Sequence, residues 1–214
     1  MLDPFDKCLT RRLLTALSFG LTLALSSCNF ENGHLMADDP CSAGNIRHSD
    51  ESVRLSECEY EVLSTLFGSE AKLVIRSEPV DDYHGQLPSS LTESIAGLSV
   101  ETISSYNFNN KSPVPISCEF MKGIPCVTLS KEDTTARWDF SKESATEKWR
   151  NFRAEYQADA YHSAYRAGFN SDRTQAVVWA TETCGSLCFS GYIYLLVQEG
   201  RDWKISHRRL TSVS

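Results

Sequence analysis

The residues best suited to chemistry lie in the C-terminal third. His162, Arg166 and Glu182 are an imidazole, a guanidinium and a carboxylate on neighbouring predicted strands. A carboxylate beside an imidazole is what proton transfer needs, and a guanidinium holds anions. Charges on strands more commonly line a solvated face, so these residues carry no catalytic assignment. His207 shares strand parity with Trp203 and Ile205, which reads as a packed or edge imidazole. His34 and His48 fall in a polar stretch and His84 in a loop. The aromatics Tyr161, Tyr165, Trp179, Tyr192 and Tyr194 suggest a binding surface, with Tyr192 and Tyr194 on one face, although sheet packing alone also favours aromatics. Tyr192, Tyr194, Arg166 and Glu182 are therefore the candidate ligand-binding residues. The chain has no GxSxG, HExxH, P-loop or dinucleotide fingerprint, and no cofactor or metal is expected.

Elements that could position these residues follow from periodicity and caps. Ser49-Asp50-Glu51 predicts the start of a helix with Leu55, Cys58, Val62 and Leu66 on one stripe, Leu63 and Phe67 beside it and Gly68 at its end. KLVIR, residues 72–76, reads as a strand. Ser90-Leu91-Thr92-Glu93 is a capping box for a short helix with Leu91, Ile95 and Leu98 inward, and another short helix runs through Val100 and Ile103. ISCEF and IPCVTL around Lys122-Gly123 predict a hairpin. Ser144-Ala145-Thr146-Glu147 opens a helix with Trp149, Phe152 and Tyr156 on one side. From Ser163 onward SAYRAGF, TQAVVWATET, FSGYIYLLVQ and WKISHRRLTSV alternate with turn residues, which predicts an antiparallel meander. The expected fold class is α+β, a curved sheet with amphipathic helices on one face.

The N-terminus reads as a leader. Lys7, Arg11 and Arg12 precede an uncharged apolar run, residues 13–25, short of the roughly 20 residues a membrane span needs. Leu25-Ser26-Ser27-Cys28 resembles the lipobox of bacterial lipoproteins. The resemblance implies lipidation of Cys28, palmitate included, and cleavage that makes Cys28 the new N-terminus. Several acyl chains on one residue give stable membrane attachment. The implied organisation is a signal peptide over 1–27, a tether over 28–48 and a single α+β domain over 49–214. The tether is rich in Asn, Asp, Gly and Pro, and its coil would span roughly 25 Å. Asn29 stands where an aspartate would signal inner-membrane retention in enteric-type sorting, which favours the outer membrane. Location at the cell membrane or outer membrane, with the domain facing periplasm or exterior, is the expectation.

With Cys8 lost in the leader and Cys28 lipidated, Cys41, Cys58, Cys118, Cys126, Cys184 and Cys188 remain, an even set that points to disulfides in an exported chain. Cys184 and Cys188 bracket a tight turn, Cys118 and Cys126 bracket Lys122-Gly123, and both are local pairs within reach. Elimination leaves Cys41 with Cys58. Neither local spacing is the CxxC of zinc or redox sites.

A wider pattern covers roughly residues 145 to 206: Trp149, Phe152 and Tyr156 in a helix, then Arg166, Gly168, Phe169 and Asn170, then Thr174, Gln175 and Ala176, the pair Cys184 and Cys188, Gly191 and Tyr192, and finally Trp203, Lys204 and Ile205. It resembles bacterial exported proteins and lipoproteins of no established activity, and implies a shared fold and export only. Gly168 and Asn170 suit a positive φ in a bulge or turn, and Gly191 suits a close approach of helix and sheet.

Composition sets the outer bounds. The 214 residues are 41% hydrophobic, and 21 basic against 28 acidic side chains leave a net charge of −7. That excludes a disordered chain and a multi-span membrane protein, and argues against a phosphate-neutralising nucleic-acid surface. The reading reached is a membrane-anchored envelope lipoprotein that binds an envelope protein or small ligand, or has a structural role, without catalysis. The alternatives are an envelope hydrolase with a carboxylate and His162, or an inhibitor of an envelope-directed enzyme.

Overall fold

The computed structural model describes residues 55–79, 86–139, 145–185 and 188–213. The chain divides into two units, Met1–Leu35 and Met36–Ser214, and every described residue belongs to the second. The leader, Cys28, the tether, His34, His48, His84, Cys41, the cap at Ser49-Asp50-Glu51 and the Ser144 cap lie outside the described residues.

Helix α1 (Glu57–Leu66) opens on a capping box in which Ser56 Oγ accepts from Glu59 N–H while the Glu59 carboxylate accepts from Ser56 N–H. Cys58, Val62, Leu63 and Leu66 are buried, as are Leu55 before the helix and Phe67 after it, in keeping with the apolar stripe. Strand β1 (Leu73–Arg76) follows, then the one-turn helix α2 (Ser89–Thr92) and helix α3 (Val100–Asn109), capped by Ser99. Helix α3 buries Thr102 and Tyr106 and leaves Val100 exposed. A 3-10 turn (Cys118–Phe120), strand β2 (Cys126–Leu129) and a π turn (Asp133–Arg137) lead to helix α4 (Ala145–Tyr156). Strands β3 (Tyr161–Ala164), β4 (Gly168–Phe169), β5 (Gln175–Thr183), β6 (Phe189–Glu199) and β7 (Asp202–Val213) complete the chain.

The strands form one sheet in the order β2-β1-β3-β5-β6-β7, with β4 also pairing β5. Pairings from β3 to β7 are antiparallel, whereas β1 runs parallel to both β2 and β3. The fold is thus α+β with a mostly antiparallel sheet. The predicted hairpin over 116–129 does not form: Ser117 caps a 3-10 turn, Cys118 N–H donates to Thr128 Oγ1, and β2 bonds the buried β1 instead. Burial of β1 on both faces outweighs the local turn signal.

The expectation of helices on one face is also corrected, because alternation along the strands loads both faces with apolar residues. Leu73, Ile75, Ala164, Ala176, Val178, Ala180 and Leu196 pack with α1. On the opposite face, Val177, Trp179, Ile193 and Leu195 pack with Tyr106 of α3, and Val74 and Leu129 pack with Phe152 of α4. Trp149 stacks on Phe152 at 4.9 Å, and Phe152 meets Tyr156 at the same distance.

The two local cysteine pairs are disulfides, Cys118–Cys126 with Cα atoms 5.4 Å apart and Cys184–Cys188 with 5.0 Å. Cys58 is disulfide-bonded as well.

The residues of the wider pattern dock α1 and α3 onto the sheet. Ala164 opposes Ala180 and Gly168 opposes Val177, so one extra residue bulges between β3 and β4. The backbone groups this frees at Arg166 are taken by Asn110 of the α3 C-cap, whose amide accepts from Arg166 N–H at 2.8 Å and donates to Arg166 C=O at 2.9 Å. Gln175 accepts from Ser99 N–H and Thr102 Oγ1 and donates to Gly97 C=O, fixing the other end of α3. The reading of Gly168 as a positive-φ residue is corrected: a Cβ there would lie 2.3 Å from Tyr106 N, so the position is reserved for the approach of α3. Asn170 also lacks a positive φ and acts through its side chain, bonding Thr174 and Gln175 across a turn. At Gly191 the crowding comes from Ser212 and Thr211 of β7, 2.6 and 2.8 Å from a built Cβ, and not from a helix.

Candidate binding face on the last two strands

The β6–β7 ribbon turns at Gly200, which takes a φ of +68°. Register then decides which side chains share a face. Leu195 opposes His207 but Leu196 opposes Ile205, so one residue of β7 bulges there, and a second shift follows between Gly191 and Tyr192. Each shift reverses the alternation of β7. Ile205, Arg208 and Leu210 consequently share the α1 face with Tyr192 and Tyr194, while Lys204, His207 and Arg209 point to the other. The expected common parity of His207 with Trp203 and Ile205 is overturned by this bulge; Trp203 is buried and His207 is exposed.

Tyr192 and Tyr194 meet with ring centroids 5.9 Å apart, and the Arg208 guanidinium lies 3.6 Å from the Tyr192 centroid and 5.6 Å from that of Tyr194. Both tyrosines are half-buried, and Ile205 and Leu210 beside them are exposed. Burial pushes the Tyr194 phenol above its ordinary range, Arg208 opposes this, and Tyr192, Glu182 and Glu70 add to it. The face therefore combines two phenol side chains, an aromatic-held cation and exposed aliphatic area. Such a surface offers stacking, hydrogen bonds and apolar contact together.

Glu182 lies toward the β3 side of the same sheet face. It opposes His162 across β3–β5, and His162 Nε2 is 3.9 Å from a carboxylate oxygen of Glu70, beyond hydrogen-bond length. The Phe67 ring packs 5.2 Å from the imidazole. Burial drives the His162 pKa down to about 4, so the ring is neutral near pH 7. Burial, with Glu182 second, raises the pKa of Glu70.

Arg166 is placed elsewhere. Its guanidinium donates from Nε to Glu59 Oε1 at 2.8 Å and from a terminal nitrogen to Oε2 at 3.1 Å, fastening β3–β4 to α1. Of the four candidates, the structure brings Tyr192 and Tyr194 together, sets Glu182 within electrostatic reach of Tyr194, and commits Arg166 to the fold. Arg208 and Glu70 were missed. The bulge hides the face of Arg208 from any parity count, and Glu70, in the loop after α1, carries no periodic signal. An open groove along α4, lined by Trp149, Arg150, Arg153, Gln157 and Asp159, lies on the other side of the sheet, and its Arg153 and Asp159 are already ion-paired at 2.9 Å. Among the described residues no group of His, Cys, Asp and Glu could hold a metal ion, and no helix is long and apolar enough to cross a membrane.

Compared with known proteins, the chain matches no family model, no curated protein and no solved structure.

Proposed function

We propose that this chain is a bacterial envelope lipoprotein, held to the cell or outer membrane through acylated Cys28, whose folded domain faces the periplasm or exterior. It binds an envelope protein or small ligand through Tyr192, Tyr194 and Arg208, without catalysis. The observation that carries the binding reading is the Arg208 guanidinium 3.6 Å above the Tyr192 ring, beside exposed Leu210. A cation already held on an aromatic face loses little freedom when a partner arrives. The antiparallel meander from β3 to β7 is the frame of this face, and disulfide use fits an oxidising compartment.

Two measurements test the reading. Radioactive fatty acid should label the wild-type chain and not Cys28→Ala; unchanged labelling contradicts the anchor. A photoreactive residue at Leu210 should give a discrete adduct in intact envelopes that Arg208→Glu removes; absence of any adduct contradicts the binding face. The hydrolase alternative draws on the approach of Glu70 to His162. A hydrolytic activity lost in His162→Gln, with the Leu210 adduct unchanged, would favour it instead.

A further inference from the structure

The outer edge of β7 is open. This strand ends the sheet order, runs for 12 residues and is exposed over most of its length. Among the described residues no strand pairs with its outer side. A free edge presents backbone N–H and C=O groups that an extended chain can satisfy. The edge is also basic, in a protein whose net charge is −7. Arg201, Arg208 and Arg209 have no carboxylate partner among the described residues, whereas Lys204 is taken by Glu199.

We infer that β7 accepts an extended acidic segment of a partner protein as an added strand. The inference rests on the binding reading and supplies its mode and the chemistry of the partner. Backbone bonds along the edge give affinity. Carboxylates on one face of the incoming strand meet Arg208, those on the other meet Arg209, and apolar side chains lie beside Ile205 and Leu210. A second copy is a poor occupant, because antiparallel self-pairing about the Arg208-Arg209 step sets Arg208 of each copy against Arg209 of the other on two acidic chains. An anionic bilayer is poorer than a strand for a geometric reason. The basic residues are split between the two faces of the ribbon, and a flat surface reaches one of them.

The test uses the full exported chain carrying Cys28→Ala, free of detergent. Four probes are added in turn: an eight-residue peptide of the repeat Val-Val-Glu-Glu, which sets Val and Glu on both faces of a strand, the same peptide N-methylated at alternate residues, a Val-Val-Lys-Lys peptide, and phosphatidylglycerol vesicles. Binding is read by peptide fluorescence anisotropy or vesicle co-flotation, and by hydrogen exchange of the amides over 203–213. The expected result is that only the unmodified acidic peptide slows exchange there, by tenfold or more. Arg208→Glu with Arg209→Glu should weaken it at least tenfold, and Arg209→Gln, a milder change at an exposed position, should weaken it partly. Equal binding of the N-methylated peptide, or binding indifferent to these substitutions, overturns the inference. So does vesicle binding that the arginine substitutions abolish while the acidic peptide protects nothing, which assigns the edge to a bilayer. If the peptide arm fails while the Leu210 adduct in envelopes persists, the added-strand inference falls and the binding reading stands.

Discussion

Arg166 grips both carboxylate oxygens of Glu59, 107 residues away in the chain, at 2.8 and 3.1 Å. Glu59 is 2% exposed and also accepts from the N–H and hydroxyl of Ser56, so one carboxylate closes the α1 capping box and ties that helix to the β3–β4 bulge. Removing either partner strands a buried charge, and Glu59→Gln should cost about 3 kcal/mol. Urea unfolding of Glu59→Gln, Arg166→Gln and the double variant measures it. The double variant should lose less than the sum of the singles; strict additivity would show that the pair is not coupled.

Gly168 should tolerate no side chain. In Gly168→Ala the new methyl would meet Tyr106 N, Tyr106 Cβ and Thr102 O at 2.3, 2.4 and 2.5 Å, mostly backbone that cannot step aside without lifting α3. A loss of about 3 kcal/mol is expected. An unfolding midpoint equal to wild type would mean that α3 does not lie on β4.

These two sites show what was legible in the sequence and what was not. The apolar stripe of α1, the strands from β5 to β7 and the two local disulfides follow from spacing within a few residues, and spacing is visible in a chain. The residues Arg166, Gly168, Asn170 and Gln175 stood out as a pattern, but their purpose depends on α1 and α3, which arrive from far away in sequence. The predicted hairpin at 116–129 failed for the same reason, since a distant parallel partner competed with a good local turn. On the binding face, Tyr192 and Tyr194 could be paired by parity, whereas Arg208 could not, because an unannounced bulge reverses the count between Ile205 and His207.

Acid should weaken the fold through His162. Burial depresses its pKa to about 4 from the ordinary 6.5, so the unfolded chain binds the proton first as pH falls. The stability is fully present above pH 6.5 and is lost down to about pH 4, by up to about 3 kcal/mol. Glu70, whose pKa is raised by burial and by Glu182, works in the opposite direction, since its protonated form is favoured by folding. Being partly exposed, it offsets only part of the loss. Denaturant unfolding at pH 7, 5 and 4 should show a smaller decline in His162→Gln than in wild type; equal declines would exclude His162 as the source.

The Tyr106 hydroxyl is fully buried and has no hydrogen-bond partner among the described residues. Burial accordingly pushes its pKa well above the ordinary value. Removing an unsatisfied hydroxyl while keeping the ring should help, so Tyr106→Phe is expected to gain about 1 kcal/mol. A destabilised Tyr106→Phe in thermal melts would reveal a partner for the hydroxyl.

On the proposed function two arginines differ, Arg166 holding the fold and Arg208 meeting a partner. The decisive measurement is the yield of Leu210 photo-adduct per folded molecule in intact envelopes, with melting temperature recorded for each variant. Arg208→Glu should lower the melting temperature by a few degrees at most, for the lost contact with the Tyr192 ring, and abolish the adduct, while Arg166→Gln should lower the melting temperature more and keep the adduct in the fraction that folds. An adduct that survives Arg208→Glu, or one that Arg166→Gln removes from folded protein, would contradict it.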